Sequence, residues 1–153
     1  MTEIYLVRHG ETEWSRKGRH TGRTDIPLTL HGEAEAQTMS PRLAGLDFTV
    51  VLASPLRRAR RTCELAGFGD RVRVEPALRE WDYGDLEGLT SDEIRGRHAA
   101  WDVFEHGCPG GESATEVRPP DIPKLRMRHR REVRWRSRAR GEAGCQARRC
   151  RAC

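Results

Sequence analysis

The chain has 153 residues, 33% of them charged and 36% hydrophobic, with a mean hydropathy of −0.78. That length holds one domain, and no apolar run reaches the roughly 18–20 residues that span a bilayer. The net charge of +5 and pI of about 9.3 would suit a nucleic-acid or anionic-lipid partner, but the charge is uneven. Residues 1–117 carry 15 Lys and Arg against 20 Asp and Glu, a net −5, whereas residues 118–153 carry 13 against 3, a net +10. An acidic body is thus followed by a strongly basic tail. The start of the chain has no basic segment and only a short apolar run, so no signal peptide is expected. Cys63 and Cys108 lie far apart, and Cys145, Cys150 and Cys153 crowd the end. No disulfide framework is read from either group, which leads to the expectation of a cytoplasmic, reducing location.

Residues 3–8 read as a short buried strand. The polar, Gly-containing stretch from His9 to Asp25 reads as a long loop, and loops of that length in compact domains are usually functional or disordered. Thr29 is placed to cap a helix that starts near Leu30, with Glu33 and Glu35 suiting its dipole, and Pro41 should break or kink it. Residues 48–54 form a second apolar run, read as a buried strand. Pro55 then introduces an Arg-rich helix over 56–65. A third strand is expected over 72–75, and a helix capped by Thr90 or Ser91 should run to about His98. Strands alternating with helices predict an α/β fold with a mostly parallel sheet.

After Val117 the pattern stops. Residues 118–153 hold 12 Arg, with Pro119, Pro120 and Pro123 near the start. Apolar residues there follow no helical or strand period. Such a segment cannot bury enough surface to offset its ordering entropy. The expectation is disorder, or at best a transient helix around 125–140.

Three strand ends carry the chemistry. Arg8-His9-Gly10-Glu11-Thr12 follows the first strand, where open α/β sheets place their ligands. Arg8 is an anion clamp, and Gly10 lets the backbone pass close to a ligand. Ser54-Pro-Leu-Arg-Arg58 follows the second strand and brings Arg58 toward the same edge. Leu78-Arg-Glu80-Trp-Asp-Tyr-Gly84 follows the third and adds a carboxylate. A cationic pocket with one carboxylate suits phosphoryl transfer, which depends on positioning and charge stabilisation. Arg57, Arg60 and Arg61 read as a solvated helix face, and Trp14, Trp81 and Trp101 as wall or core. Asp82 reads as a cap or an Arg partner. Glu112 stands between a substrate-facing carboxylate and a helix-start charge. His20, His31, His98 and His106 read as structural or surface residues.

These motifs resemble those of the histidine phosphatase superfamily, with the phosphoglycerate mutase-like fold. The likeness begins at Arg8-His9-Gly10 and extends in order through Thr21-Gly22, Asp25–Gly32, Ser54–Ala59, Glu80–Gly84, Glu87–Thr90 and Gly110–Ser113. The resemblance implies a three-layer α/β/α domain, a phosphohistidine formed on His9, and phosphate oxygens held by Arg8 and Arg58. It also implies that Glu80 gives a proton to the leaving oxygen and then takes one from water, and that Ser15, Thr21, Gly22 and Tyr83 contact substrate. No metal and no cofactor is implied. The substrate would be a small phosphorylated metabolite, with no membrane or nucleic-acid partner; a homodimer stays open.

The departures from the family also matter. Ser15 stands where the family usually has Asn, although Ser occurs among its phosphatase branches. Ser91 occupies the position where cofactor-dependent mutases carry Lys, and only a short Trp101–Pro109 stretch precedes Gly110-Gly-Glu-Ser. Both points favour a phosphatase over a mutase. The family's second His, in a His-Gly motif after another buried strand, has no counterpart. His129 sits among arginines instead. The division is therefore 1–117, the N-terminal part of the family domain, and 118–153, a tail that is disordered or derived from a reading-frame change in a GC-rich gene. Translating the neighbouring frames tests that origin. Three functional readings stay open: a phosphomonoesterase; a phosphoglycerate mutase; and a non-catalytic product, inert or binding nucleic acid through the tail.

Overall fold

The computed structural model describes residues 3–117 and 147–151. The transient helix expected around 125–140, and His129, lie outside the described residues. The first strand, β1 (Glu3–Val7), leads into the loop that carries His9. Within that loop a one-turn helix forms, α1 (Glu13–Arg16), where the sequence pattern predicts irregular chain. Its cause is local. Thr12, buried at the N-cap, accepts from the Ser15 amide while the Ser15 hydroxyl accepts from the Thr12 amide, a reciprocal cap with Ser in place of the usual Glu or Gln.

The helix expected at Leu30 is α2 (Leu30–Gln37), capped by the Thr29 hydroxyl at the Gly32 amide. Pro41 interrupts it as expected. Pro41 has no N–H for the Gln37 carbonyl, so α2 stops and α3 (Met39–Leu43) starts anew with Pro41 in its first turn. The second strand, β2 (Val51–Ala53), is shorter than the apolar run 48–54. Phe48 is drawn instead into an aromatic row, its ring edge-on to Tyr5 at 5.3 Å and to Phe68 at 5.4 Å.

The Arg-rich helix α4 (Arg57–Cys63) runs on into a wider π-helical turn, Glu64–Phe68, where Gly67 adopts a φ of 92°. It leads to β3 (Val72–Val74), which pairs in parallel with β2, Val51 opposite Val72 and Ala53 opposite Val74. Further along come α5 (Ser91–Arg97) and α6 (Val103–His106). Thr90 caps α5 in a reciprocal box with Glu93, as expected.

Two small cores result. Met39, Leu43 and Ala66 are buried with Tyr5, Leu46, Phe48 and Phe68 packed against them. Leu86, Ile94 and Cys108 form the second core, walled by Trp81, Tyr83, Leu89, Trp101 and Val103. Trp81 and Trp101 are thus wall residues, as read from the sequence.

The α/β class stands, with β2–α4–β3 as its parallel unit, but two expectations are corrected. The expected strand burial fails at β1, where Leu6 and Val7 remain 48% and 40% exposed. Among the described residues β1 does not join the β2–β3 pair. The expected lack of regular structure after Val117 fails at β4 (Ala147–Arg151), which pairs antiparallel with β1, Val7 opposite Ala147 and Glu3 opposite Arg151. An unpaired strand edge offers a row of main-chain donors and acceptors that any extended segment can satisfy, with or without an apolar period. Among the described residues no helix is long and apolar enough to cross a membrane.

Candidate active site

His9 follows β1, Arg58 lies in α4 after β2, and Glu80 follows β3. His9 is half-buried, and its Nδ1 lies 2.8 Å from the Gly10 carbonyl oxygen. A carbonyl oxygen can only accept, so Nδ1 carries the proton and Nε2 keeps its lone pair. The Gly10 amide donates to Thr62 Oγ1 at 3.1 Å, and the Thr62 hydroxyl donates to the Arg58 carbonyl at 2.8 Å. The His9 turn is thereby pinned to the first turns of α4. Thr62 lies four residues after Arg58, on the same face of that helix, and this spacing is the one signal in the sequence that points to it.

Arg58 is 2% exposed. Its Nη1 donates to the Thr24 carbonyl at 2.9 Å, and its Nη2 donates to those of Gly22 at 2.8 Å and Thr21 at 3.4 Å. Three of its five N–H groups are thus engaged by one loop. Burial lowers its proton affinity, and the carboxylates of Glu80, Asp25 and Glu87 act in the opposite sense. Asp25 also accepts from the Arg57 amide at 2.7 Å, capping α4 from a distant loop.

The His9 imidazole has its pKa lowered below the usual 6.5, chiefly by burial. The Gly10 carbonyl opposes this, the Arg58 and Arg8 charges add to it, and Glu80 opposes it more weakly. His9, Arg8, Arg58 and Glu80 therefore occupy one electrostatic neighbourhood. Tyr83 belongs to it as well: burial raises the pKa of its phenol, and Glu80 raises it further. The His20 ring packs on Tyr83 at 4.9 Å and meets Trp101 edge-on at 5.8 Å.

A measurable consequence concerns pH. Because the folded pKa of His9 lies below its unfolded value, the unfolded chain binds more protons between the two. The neutral ring's contribution to stability is complete above about pH 6.5 and is lost as pH falls through the depressed folded value. In a proton NMR titration, the His9 Cε1–H resonance should reach its midpoint below pH 6.5. A midpoint at or above that value would contradict a buried ring flanked by two arginines.

The remaining assignments divide. Thr21 and Gly22 sit on the loop that cradles Arg58. Gly22 is required there, because a Cβ would stand 2.1 Å from the Trp81 carbonyl oxygen. Ser15 is occupied in the α1 cap, its hydroxyl donating to the Thr12 carbonyl at 3.1 Å. Arg57, Arg60 and Arg61 are exposed, and Arg61 pairs with Glu33 at 2.7 Å, so they form the solvated face expected.

Glu112 does not start a helix. It accepts from Arg23 Nη2 at 2.7 Å and from the Asp82 amide at 2.8 Å, and its carbonyl accepts from Trp81 Nε1 at 2.9 Å. Asp82 pairs with Arg23 at 3.6 Å and caps the Gly84 amide at 3.0 Å, as expected of a cap or an Arg partner. This Arg23–Asp82–Glu112 clamp joins three loops that are far apart in sequence, and no local spacing announces it.

Comparison with known proteins gives the following. Residues 4–119 match a family model described as the histidine phosphatase superfamily, branch 1. An acid phosphatase of Mycobacterium tuberculosis is 46% identical over 117 residues, which cover 74% of this chain and 57% of that protein. A probable phosphoglycerate mutase of Cronobacter sakazakii is 38% identical over 125 residues, covering 76% of this chain and 58% of that protein. A solved structure from Mycobacterium tuberculosis superposes with a TM-score of 0.69 at 45% identity, covering 74% of this chain and 59% of that one. The chain therefore spans less than three-fifths of the length of these relatives.

Proposed function

Because this chain belongs to the histidine phosphatase superfamily, we propose that it is a phosphomonoester hydrolase working through a phosphohistidine on His9, on a small phosphorylated metabolite. The observation that carries the proposal is the Nδ1 bond of His9 to the Gly10 carbonyl, 2.8 Å, in a ring kept neutral by burial beside Arg8 and Arg58. That arrangement leaves Nε2 free to attack phosphorus in line. As the Nε2–P bond forms, the ester P–O bond breaks, and the leaving oxygen takes its proton from Glu80. Water then attacks phosphorus and gives a proton to Glu80, and the N–P bond breaks. Arg8 and the two N–H groups of Arg58 not engaged by the loop hold the non-bridging oxygens, where their charge compensates the transition state. Thr21, Gly22 and Tyr83 line the approach. Ser15 has the weakest support as a substrate contact, since the α1 cap uses its hydroxyl.

Hydrolysis is favoured over phosphate shuttling because Ser91 supplies no positive charge for a second anionic group; its hydroxyl lies 3.3 Å from His20 Nε2. Cys63 and Cys108 are free thiols, which supports a reducing, cytoplasmic location. In this reading residues 1–117 are the N-terminal part of the family domain and carry this chemistry, and residues 118–153 are the Arg-rich tail, whose residues 147–151 pair with β1.

A second reading has its own support. Leu6, Val7, Val50 and Val74, on or beside three strands, are each at least two-fifths exposed, which fits a partial domain that is catalytically inert. One experiment decides between them. The chain is incubated with p-nitrophenyl phosphate, phosphate release is followed, and acid-labile, base-stable phosphate is sought on the protein by mass spectrometry. Turnover with a cooperative melt supports the phosphatase; a cooperative melt with neither turnover nor label leaves the inert reading.

A further inference from the structure

We propose that Glu87 is a positioning residue for Arg58, acting through the peptide between Gly22 and Arg23. The inference rests on the phosphatase reading only for what Arg58 does once it is in place. Glu87 follows a 3-10 turn, Gly84–Leu86, and its carboxylate reaches back across the loop. One oxygen accepts from the Arg23 amide. The other accepts from the Thr24 amide at 2.8 Å and from the Thr24 hydroxyl. On the far side of this loop the carbonyls of Thr21, Gly22 and Thr24 accept from Arg58.

The Gly22 carbonyl and the Arg23 amide belong to one trans peptide plane, so they point in opposite directions. That plane is held between a carboxylate on its N–H and a guanidinium on its C=O. Each charge polarises the peptide in the sense that strengthens the other bond. Charge-assisted bonds of this kind hold geometry better than neutral ones. Gly22 approaches Glu87 so closely that an added Cβ would lie 2.6 Å from Glu87 Oε1. Glu87 thus braces from one side the loop whose carbonyls receive Arg58 on the other. Arg58 cannot be oriented from its own helix, because none of the three carbonyls it uses belongs to α4.

The test is Glu87→Gln, which keeps shape but loses the charge and one acceptor oxygen. Side-chain hydrogen exchange of Arg58 is measured by NMR, together with the His9 titration and thermal melting. In the variant, Arg58 N–H exchange should quicken on the order of tenfold or more, matching the loss of a charge-assisted bond. The His9 midpoint should rise as the Arg58 charge moves off, while backbone exchange in α4 and α5 stays as in the wild type. A purely structural role would quicken exchange throughout. Thr24→Val, which removes only the hydroxyl bond, should give a smaller change confined to the same two signals; it serves if the Gln variant does not fold. Unchanged Arg58 exchange in a folded variant overturns the proposal. Addition of orthovanadate to the wild-type chain reads separately: no perturbation of the His9 resonance would count against the phosphatase reading and leave the Arg58 result as it stands.

Discussion

Replacing His9 with alanine is expected to abolish acid-labile phosphate incorporation and to lower phosphate release from p-nitrophenyl phosphate by at least about 10³-fold. The size of the effect follows from the division of labour in the site. Arg8 and Arg58 can gather and orient a phosphate dianion in the variant, but water must then attack without a covalent route and without a base aligned behind it. Substrate binding should change little, because the arginines supply it. Glu80→Gln makes the informative contrast. It retains the nucleophile, so a burst of protein-bound phosphate should persist. The rate of that burst, which precedes the step in which Glu80 acts as base, should fall little for an aryl ester, whose phenolate leaves without a proton, and much for an alkyl ester, whose alkoxide needs one. Equal losses for both esters would remove Glu80 from the role of acid. Residual turnover of His9→Ala close to the wild-type rate would remove His9 from the role of nucleophile.

The residues of this site are legible in the sequence to unequal degrees. His9, Arg58 and Glu80 can be read because each follows an apolar run of strand length, and α/β folds bring such run ends to one edge. The caps at Thr29 and Thr90 are legible because capping is local chemistry. The partners that hold the functional groups are not. Glu112 and Arg23 are 89 residues apart and meet only because three loops converge. The burial of Arg58 is also hidden. In the sequence it is one of four arginines in five residues, and only the loop that accepts from it sets it apart from its exposed neighbours. α1 is concealed because Ser15 substitutes for the Glu or Gln that usually completes such a cap. β1 misleads for a different reason. Its apolar residues suit a sheet covered on both faces, and this chain spans only 57% of its Mycobacterium tuberculosis relative. Alternation and run length report only that a strand is apolar; they do not say which elements pack on its faces.

Gly10→Ala tests the steric basis of the whole arrangement. A Cβ on Gly10 would stand 2.1 Å from the Gly32 carbonyl oxygen and 2.8 Å from its carbon, and a Cβ on Gly32 would stand 2.1 Å from the Glu11 carbonyl oxygen. The His9 turn and the first turn of α2 thus touch backbone to backbone. No side chain in the contact can rotate away, so the loop itself must lift. Lifting it stretches the Gly10 amide bond to Thr62 and the Thr29 amide bond to the Glu11 carbonyl, now 3.1 and 2.9 Å. The expected loss is about 2–4 kcal/mol, read as a lower melting temperature or denaturant midpoint. Gly96→Ala is the matched control. Gly96 lies inside α5 with no atom from outside that helix within 4 Å of the place an alanine methyl would take, and alanine there should stabilise by about 0.5–1 kcal/mol. In Gly10→Ala the His9 Nδ1 contact to the Gly10 carbonyl should loosen as well, so the imidazole resonance should broaden or shift even well below the melting range. If Gly10→Ala melts like the wild type while Gly96→Ala behaves as expected, the close approach is wrong, and with it the account of how His9 is held with Nε2 free.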